Sequence, residues 1–349
     1  MRDPVTSSPE AVGDLQALRS CWHAVAFADA VSDQPQRAVL LGQALVLWRD
    51  SAGQPHALND VCIHRGTALS LGRVIGDELM CPYHGWRYGP DGRCVAIPQL
   101  ADPTQVPGKA RVATYRCMTR YGLVWVALEE PRWPVPDVPE LETASGWQHV
   151  PCGPYRWRCD ASRQIENFTD FGHFPWVHPG LLGDPGRPVV PKHTVQVDGH
   201  VLGYEIVRPE APNSEEFPVF ANEQTTAPER HNRYQLHLPY TIVLRIGWGG
   251  KRGMVYFFAS QPIDDEDCAG YLVIARNYDH EQPISVLQDF ENTIFEQDRR
   301  MVESQRPEKV PFDLADEMHM KFDAVAVAYR RAMRQQGLGG LAATREPPV

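Results

Sequence analysis

The chain has 349 residues, of which 43% are hydrophobic and 22% charged, and its formal net charge is −10. That length accommodates two domains with cores of their own, and the acidic balance argues against a nucleic-acid binder, which needs a basic face. No apolar run approaches the roughly 20 residues that span a bilayer, and the polar stretch Met1–Glu10 lacks the basic-then-apolar order of a signal peptide, so a cytoplasmic protein is expected.

Residues 1–18 read as a flexible lead-in. From 19 to 130 short apolar runs alternate with turn signals: Ala38–Trp48, then Asp50–Gly53, Pro90–Gly92 and Pro107–Gly108, and finally Gly122–Leu128. This spacing predicts a small all-β domain. Four prolines between Pro131 and Pro139 exclude a helix or an inner strand, so residues 131–140 read as a linker. Residues 141–336 form a second domain. A helix is predicted over Ser162–His173, stopped by Pro175. Strands are predicted over Thr194–Arg208, Tyr234–Trp248, Met254–Ser260 and Gly270–Tyr278, and helices over Ile284–Arg306 and Asp323–Arg334. The fold class is therefore α+β, with an antiparallel sheet and flanking helices. Residues 337–349 read as a flexible tail.

The eight cysteines do not suggest a disulfide framework in a cytoplasmic chain of this size. Cys21, Cys94, Cys117, Cys152, Cys159 and Cys268 read as small buried hydrophobes. Cys62 and Cys81 differ, because each has a histidine at ligand spacing. The sequence reads Cys62-Ile63-His64-Arg65-Gly66, then Cys81-Pro82-Tyr83-His84-Gly85-Trp86, with sixteen residues between His64 and Cys81. Zinc accepts two Cys and two His, but its fingers usually pair like with like. Two mixed hooks suit a [2Fe–2S] cluster with both cysteines on one iron and both histidines on the other. Neutral imidazoles raise the potential of such a cluster, and Trp86 is placed to shield it from water.

The second group of residues is Asn167, Asp170, His173 and His178. The first three are three apart and define one stripe on the predicted helix. Pro175 then lets His178 turn back beside His173. Two imidazoles and a carboxylate on one face of an iron form the facial triad of non-haem Fe(II) oxygenases. Leu287, Phe290, Ile294, Asp298 and Met301 make an apolar helix stripe with Asp298 as its single acid. A bare buried carboxylate is costly unless paired or metal-bound, so Asp298 is either the third ligand or the ion-pair partner of Arg299, Arg300 or Arg306.

These two sets of residues resemble the large subunits of Rieske non-haem iron oxygenases. The two hooks resemble the family's cluster signature, and Asp170-x2-His173-x4-His178 resembles its iron motif. Asn167 and the segment Glu296–Glu303 are similar to those of the smaller monooxygenase and O-demethylase members. The resemblance implies a helix-grip, START-like catalytic domain. It implies Cys62, His64, Cys81 and His84 as cluster ligands, and His173, His178 and Asp298 as ligands of a mononuclear iron. Asp170 would bridge His84 of a neighbouring subunit to His173, within a homotrimer, and Asn167 would take part in catalysis. Electrons would come from NAD(P)H through an external ferredoxin or flavin reductase, to hydroxylate or demethylate a small aromatic or cyclic substrate with dioxygen. Arene cis-dihydroxylation is the alternative outcome. A Rieske electron carrier without a catalytic iron and a zinc-stabilised binding module are the alternatives from other classes.

Other residues carry weaker signals. His237, between Leu236 and Leu238, is a minor candidate for a substrate contact. Tyr234, Tyr240, Trp248, Tyr256 and Phe258 read as sheet packing. The Pro/Gly-rich stretch from Leu181 to Ala221 is a candidate cover for the active-site mouth.

Overall fold

The computed structural model describes residues 16–209, 229–247 and 251–339. The flexible lead-in and tail expected from the sequence, Trp248, and the end of the candidate cover lie wholly or mostly outside them. The described residues divide into two compact units, one of Arg19–Val135 with Gln261–Asp264, the other of those between Pro136 and Ser260 and from Asp265 to Gly339, with Gln16–Leu18. No helix among the described residues is long and apolar enough to cross a membrane.

The first unit is all β. Its strands are β1 (His23–Phe27), β2 (Gln36–Leu40), β3 (Gln43–Arg49), β4 (Pro55–Asn59), β5 (Arg73–Ile75), β6 (Glu78–Met80), β7 (Arg87–Tyr88), β8 (Cys94–Ala96), β9 (Thr114–Arg120) and β10 (Leu123–Ala127). They form a six-stranded sheet in the order β1-β10-β9-β4-β3-β2 and a four-stranded sheet in the order β5-β6-β7-β8. The apolar run Ala38–Trp48 is a hairpin, with β2 and β3 paired antiparallel around Leu41–Gly42. One buried cluster takes Val46, Trp48 and Leu58 from the larger sheet and Leu79, Tyr88 and Cys94 from the smaller, and it contains both Cys62 and Cys81. Each large side chain buried this completely contributes about 1.5–3 kcal/mol, so the two hooks rise from a rigid base.

The second unit holds the remaining strands: β11 (Gln148–Trp157), β12 (Gln196–Asp198), β13 (Val201–Pro209), β14 (Glu229–His237), β15 (Thr241–Gly247), β16 (Gly253–Pro262) and β17 (Cys268–Arg276). They form one sheet in the order β11-β17-β16-β15-β14-β13-β12. The stretch predicted as one strand from Tyr234 onward is the β14–β15 hairpin, paired from His237 opposite Thr241. The helices are α1 (Ala161–Thr169), α2 (Phe174–Val177), α3 (Ile284–Val302) and α4 (Ala324–Gln335).

Helix α1 ends earlier than the expected His173. The Asp170 backbone is extended, at φ −84° and ψ 135°, and its Oδ1 accepts from the Gly172 N–H at 2.8 Å. A short acidic side chain that satisfies the local backbone competes with helix continuation. Asn167 therefore lies on the helix, whereas Asp170 and His173 lie beyond it. Pro175 opens α2 instead of closing α1, because the missing N–H of proline is harmless in a first turn.

Helix α3 packs on β11, with Phe295 stacked on Tyr155 at 3.8 Å between ring centres. Its buried face is Leu287, Phe290, Glu291, Ile294, Phe295, Asp298 and Val302. Two details correct the expected stripe. Met301 is 49% exposed, and Asp298 is not the face's only acid, because Glu291 is buried on it too.

Candidate metal centres

The two hooks share one backbone design. The Cys62 N–H bonds to the Thr67 carbonyl and the Gly66 N–H to the Cys62 carbonyl; in the same way the Cys81 N–H bonds to the Trp86 carbonyl and the Gly85 N–H to the Cys81 carbonyl. Each loop thus curls its cysteine and histidine to one side. Gly66 and Gly85 sit at φ +73° and +72°, a conformation in which other residues are strained. The His64 and His84 rings lie 4.5 Å apart between centres. Both cysteines are buried, and burial beside the Cys62 thiol raises the pKa of Cys81. The Tyr88 hydroxyl is 3.1 Å from Cys62 Sγ. Trp86 stacks on His64 with ring centres 4.5 Å apart and planes within 5°. The His64 Nδ1 is buried without a hydrogen-bond partner.

In the second unit the loop between α1 and α2 meets α3. One oxygen each from Asp298 and one ring nitrogen each from His173 and His178 lie within 4.8 Å of one another. Both imidazoles are oriented by their Nδ1 atoms. The Nδ1–H of His173 donates to Asp170 Oδ2 at 2.9 Å, and that of His178 donates to Gln297 Oε1 at 2.7 Å. Both Nε2 atoms then face Asp298 Oδ1, at 3.4 Å from His173 and 2.9 Å from His178. Burial works against the Asp298 carboxylate, yet hydrogen bonds from the two histidines hold its pKa at about 2. Burial likewise opposes the His173 cation, and the Asp170 and Asp298 carboxylates outweigh it, raising His173 to about 9. The three groups are placed so that together they could hold a cation.

The ion-pair alternative for Asp298 does not hold. Arg299 binds Glu296 and Glu303, Arg306 binds Glu308, and among the described residues Asp298 pairs with His173 and His178 and not with Arg300.

A pocket opens on the triad. Its wall includes Asn167, Phe168, Tyr234, Tyr256, Phe290 and Glu291, together with His173 and Asp298. Tyr234 and Tyr256 are therefore lining residues as well as sheet packing, because both point from inner strands toward α3 and the triad loop. His237 does not line this pocket. It lies across from His200, with ring centres 6.3 Å apart. Leu182, from the candidate cover, does line it.

Residues 21–116 match the Rieske [2Fe-2S] domain model, and residues 157–337 match the vanillate O-demethylase oxygenase C-terminal domain. The chain belongs to the Rieske oxygenase family. It is 31% identical to methylxanthine N3-demethylase NdmB of Pseudomonas putida over 94% of this chain and 92% of that one. It is 32% identical to methylxanthine N1-demethylase NdmA of the same organism over 92% and 90%. Among solved structures, NdmA with caffeine superposes with a TM-score of 0.79 at 27% identity, covering 96% of this chain and 100% of that one. Dicamba monooxygenase shares the fold at 21% identity and a TM-score of 0.79, covering 92% and 97%.

This Rieske oxygenase is thus an iron–sulfur and non-haem iron enzyme, the oxygenase component of a multicomponent system. The catalytic-domain match disposes of the electron-carrier and zinc-module alternatives. The donor atoms fit both groups: a buried, unpartnered His64 Nδ1 beside two buried thiols suits a cluster, and two converging Nε2 atoms around a carboxylate suit an iron. Sequence reasoning missed Tyr88, Gln297 and Glu291. Gln297 had a usable signal, since it directly precedes Asp298. Tyr88 had none, because its role depends on how β7 brings it under the first hook.

Proposed function

We propose that this oxygenase monohydroxylates an N- or O-methyl substituent on a small cyclic substrate, and that the resulting N- or O-hydroxymethyl group collapses to N–H or O–H with loss of formaldehyde. The reading is supported above all by the convergence of His173, His178 and Asp298 at the mouth of an aromatic-lined pocket. It is also supported by whole-chain similarity to two N-demethylases. Cis-dihydroxylation is the alternative outcome at the same centre.

In this reading Cys62, His64, Cys81 and His84 hold the cluster, and His173, His178 and Asp298 hold the iron, which supplies dioxygen activation when bound. Asp170 and Gln297 hold the Nδ1 protons of the two histidines, so that Nε2 is left as the ligand atom. Phe168, Phe290 and Ile294 exclude water and orient the ring. Asn167 borders the pocket, and its side chain has no hydrogen bond among the described residues, which leaves it available to a ligand.

Asp170 has a further role in this reading. Its side chain is 42% exposed although it holds a nearly buried histidine. The cavity beside it is rimmed by Met301, Met318 and Phe322, of which Met318 is 89% exposed. Such a face suits the docking of a second copy, whose His84 would reach Asp170 in a head-to-tail homotrimer. An external ferredoxin or flavin reductase would feed the cluster from NAD(P)H, and the working compartment would be the cytoplasm. The domain limits in this reading are 19–130 for the cluster domain, 131–140 for the linker and 141–336 for the catalytic domain.

The test is reconstitution with iron, sulfide and a surrogate reductase. A Rieske EPR signal after dithionite, about three irons per chain and formaldehyde release from an N- or O-methyl ring substrate are expected. Cis-diol formation without formaldehyde would transfer the assignment to dihydroxylation. Lack of any oxygen uptake by the reconstituted protein would overturn the oxygenase reading.

A further inference from the structure

Glu291 is an unusual residue for the wall of an apolar cavity. It is 4% exposed and lies among Phe168, Leu244, Phe290 and Ile294 in the pocket that reaches Asp298. Its Oε1 accepts a hydrogen bond from the Tyr256 hydroxyl at 2.9 Å, and it makes no other hydrogen bond among the described residues. Arg230, on the same wall, directs its Nε to Asn232 Oδ1 at 3.4 Å. A buried carboxyl group with an unused oxygen is costly, and nothing in the packing of α3 requires one, since the same helix face is otherwise apolar apart from Asp298. Polar groups of this kind in ligand pockets fix orientation.

We propose that Glu291 orients the substrate: its Oε2 hydrogen-bonds a ring carbonyl of a neutral cyclic molecule, holding the methyl group to be hydroxylated against the triad. The inference rests on the demethylase reading above and narrows its substrate class.

The direction of the bond follows from Tyr256. Because the tyrosine donates to Oε1, the acid proton resides on Oε2, so the free oxygen is a donor that seeks an acceptor. Burial favours this neutral form and the nearby Asp298 charge adds to it, together outweighing the Tyr256 hydrogen bond and the Arg230 guanidinium, which favour the anion. A ring carbonyl supplies the acceptor without introducing charge. A ring carboxylate or sulfonate is a poorer fit, because it places an anion beside the Asp298 carboxylate and against the apolar side chains of Phe168, Phe290 and Ile294. The same contact explains how Glu291 is accommodated between Phe290 and Ile294: bound substrate satisfies its free oxygen.

The test uses reconstituted holoenzyme carrying both metal centres, with caffeine as the neutral probe and dicamba as the anionic one. Caffeine offers ring carbonyls and no N–H, so it reads only the donor role. Binding is measured by calorimetry, and kcat, KM and the ratio of formaldehyde to oxygen consumed are measured with the surrogate reductase. Wild type is expected to bind caffeine at least about tenfold more tightly than dicamba. Glu291→Leu, which preserves volume and removes the donor, should weaken caffeine roughly 10- to 100-fold, the range for a buried hydrogen bond, and should lower the coupling ratio. Glu291→Gln keeps an N–H donor at the same reach and should stay within about threefold. A merely structural role would lower stability without moving the coupling ratio. Caffeine binding by Glu291→Leu equal to wild type, tighter binding of dicamba than caffeine, or binding of neither probe by wild type would each overturn the proposal. Reductase-driven oxygen uptake in wild type is scored separately: if it persists in those cases, the oxygenase reading stands and only the substrate assignment is lost.

Discussion

Gln297 and His178 are joined by a 2.7 Å hydrogen bond from the ring Nδ1–H to the amide oxygen. One helical residue therefore orients a ligand histidine while the next, Asp298, faces its other nitrogen. Partners of this kind typically govern metal affinity by 10–100-fold. Gln297→Leu should raise the dissociation constant for the mononuclear iron by about that factor. The cluster absorbance and EPR should not change, because Cys62, His64, Cys81 and His84 lie in the other unit. Iron titration followed by a ferrous chelator assay measures it, and unchanged affinity would remove Gln297 from the site.

Asp298→Ala separates the two centres. Iron content should fall from about three to about two per chain while the brown colour and reduced EPR signal persist. Retention of the third iron with undiminished turnover would show that another group holds it.

Tyr88 touches the cluster hook through Cys62 Sγ at 3.1 Å. Hydrogen bonds to cluster sulfurs stabilise the reduced, more negative state. Tyr88→Phe should therefore lower the Rieske potential by about 50 mV, the equivalent of one hydrogen bond of about 1 kcal/mol. Protein-film voltammetry reads the shift directly.

Glu291 also governs a pH response. Burial pushes its pKa from the ordinary 4.5 to about 8, opposed by the Tyr256 hydrogen bond and the Arg230 guanidinium and reinforced by Asp298. Between those two values the unfolded chain releases the proton while the folded one keeps it, so Glu291 subtracts stability progressively as pH rises from 4.5 to 8. Glu291→Gln abolishes that loss. Its Tm should match wild type near pH 4.5 and exceed it by a few °C at pH 8. Parallel Tm–pH curves for the two proteins would contradict the assignment.

Arg330 ties α4 to the helix that carries Asn167. Its side chain is 2% exposed and pairs with Glu166 and Glu317 at 2.6 Å each, with a second bond to Glu166 at 2.7 Å. Arg330→Met leaves the Glu166 carboxylate uncompensated, while Glu317 keeps Arg163 at 2.9 Å, and removing one partner of such a pair costs about 3–5 kcal/mol. Denaturant unfolding should show a loss of this size, and a change below 1 kcal/mol would mean that water enters the pair.

Both candidate metal centres were legible in the sequence for a chemical reason: thiolates and imidazoles at short, turn-compatible spacings have few uses besides holding metal. Cys62, His64, Cys81 and His84 stand within 23 residues of one another, and His173 and His178 within six. Local chemistry at short range is what a sequence displays. Asp298 was recognisable because a lone acid at 3.6-residue spacing in an apolar stripe conflicts with burial unless something holds it. The same reading passed over Glu291, since the stripe was drawn one residue too narrow.

Composition, hydrophobic period and ligand spacing pointed to the α+β class and to candidate donor sets for two metal centres. The tertiary structure alone decided which nitrogen of each histidine faces Asp298, which tyrosines leave the sheet core for the pocket wall, and that Glu291 shares that wall with Asp298. These depend on where α1 stops, which Asp170 decides by binding the Gly172 N–H. They also depend on the rotation of α3 about its axis, where one residue of error turns a face by about 100°. That rotation is set by packing between distant segments, as where Phe295 stacks on Tyr155, and no local pattern carries it.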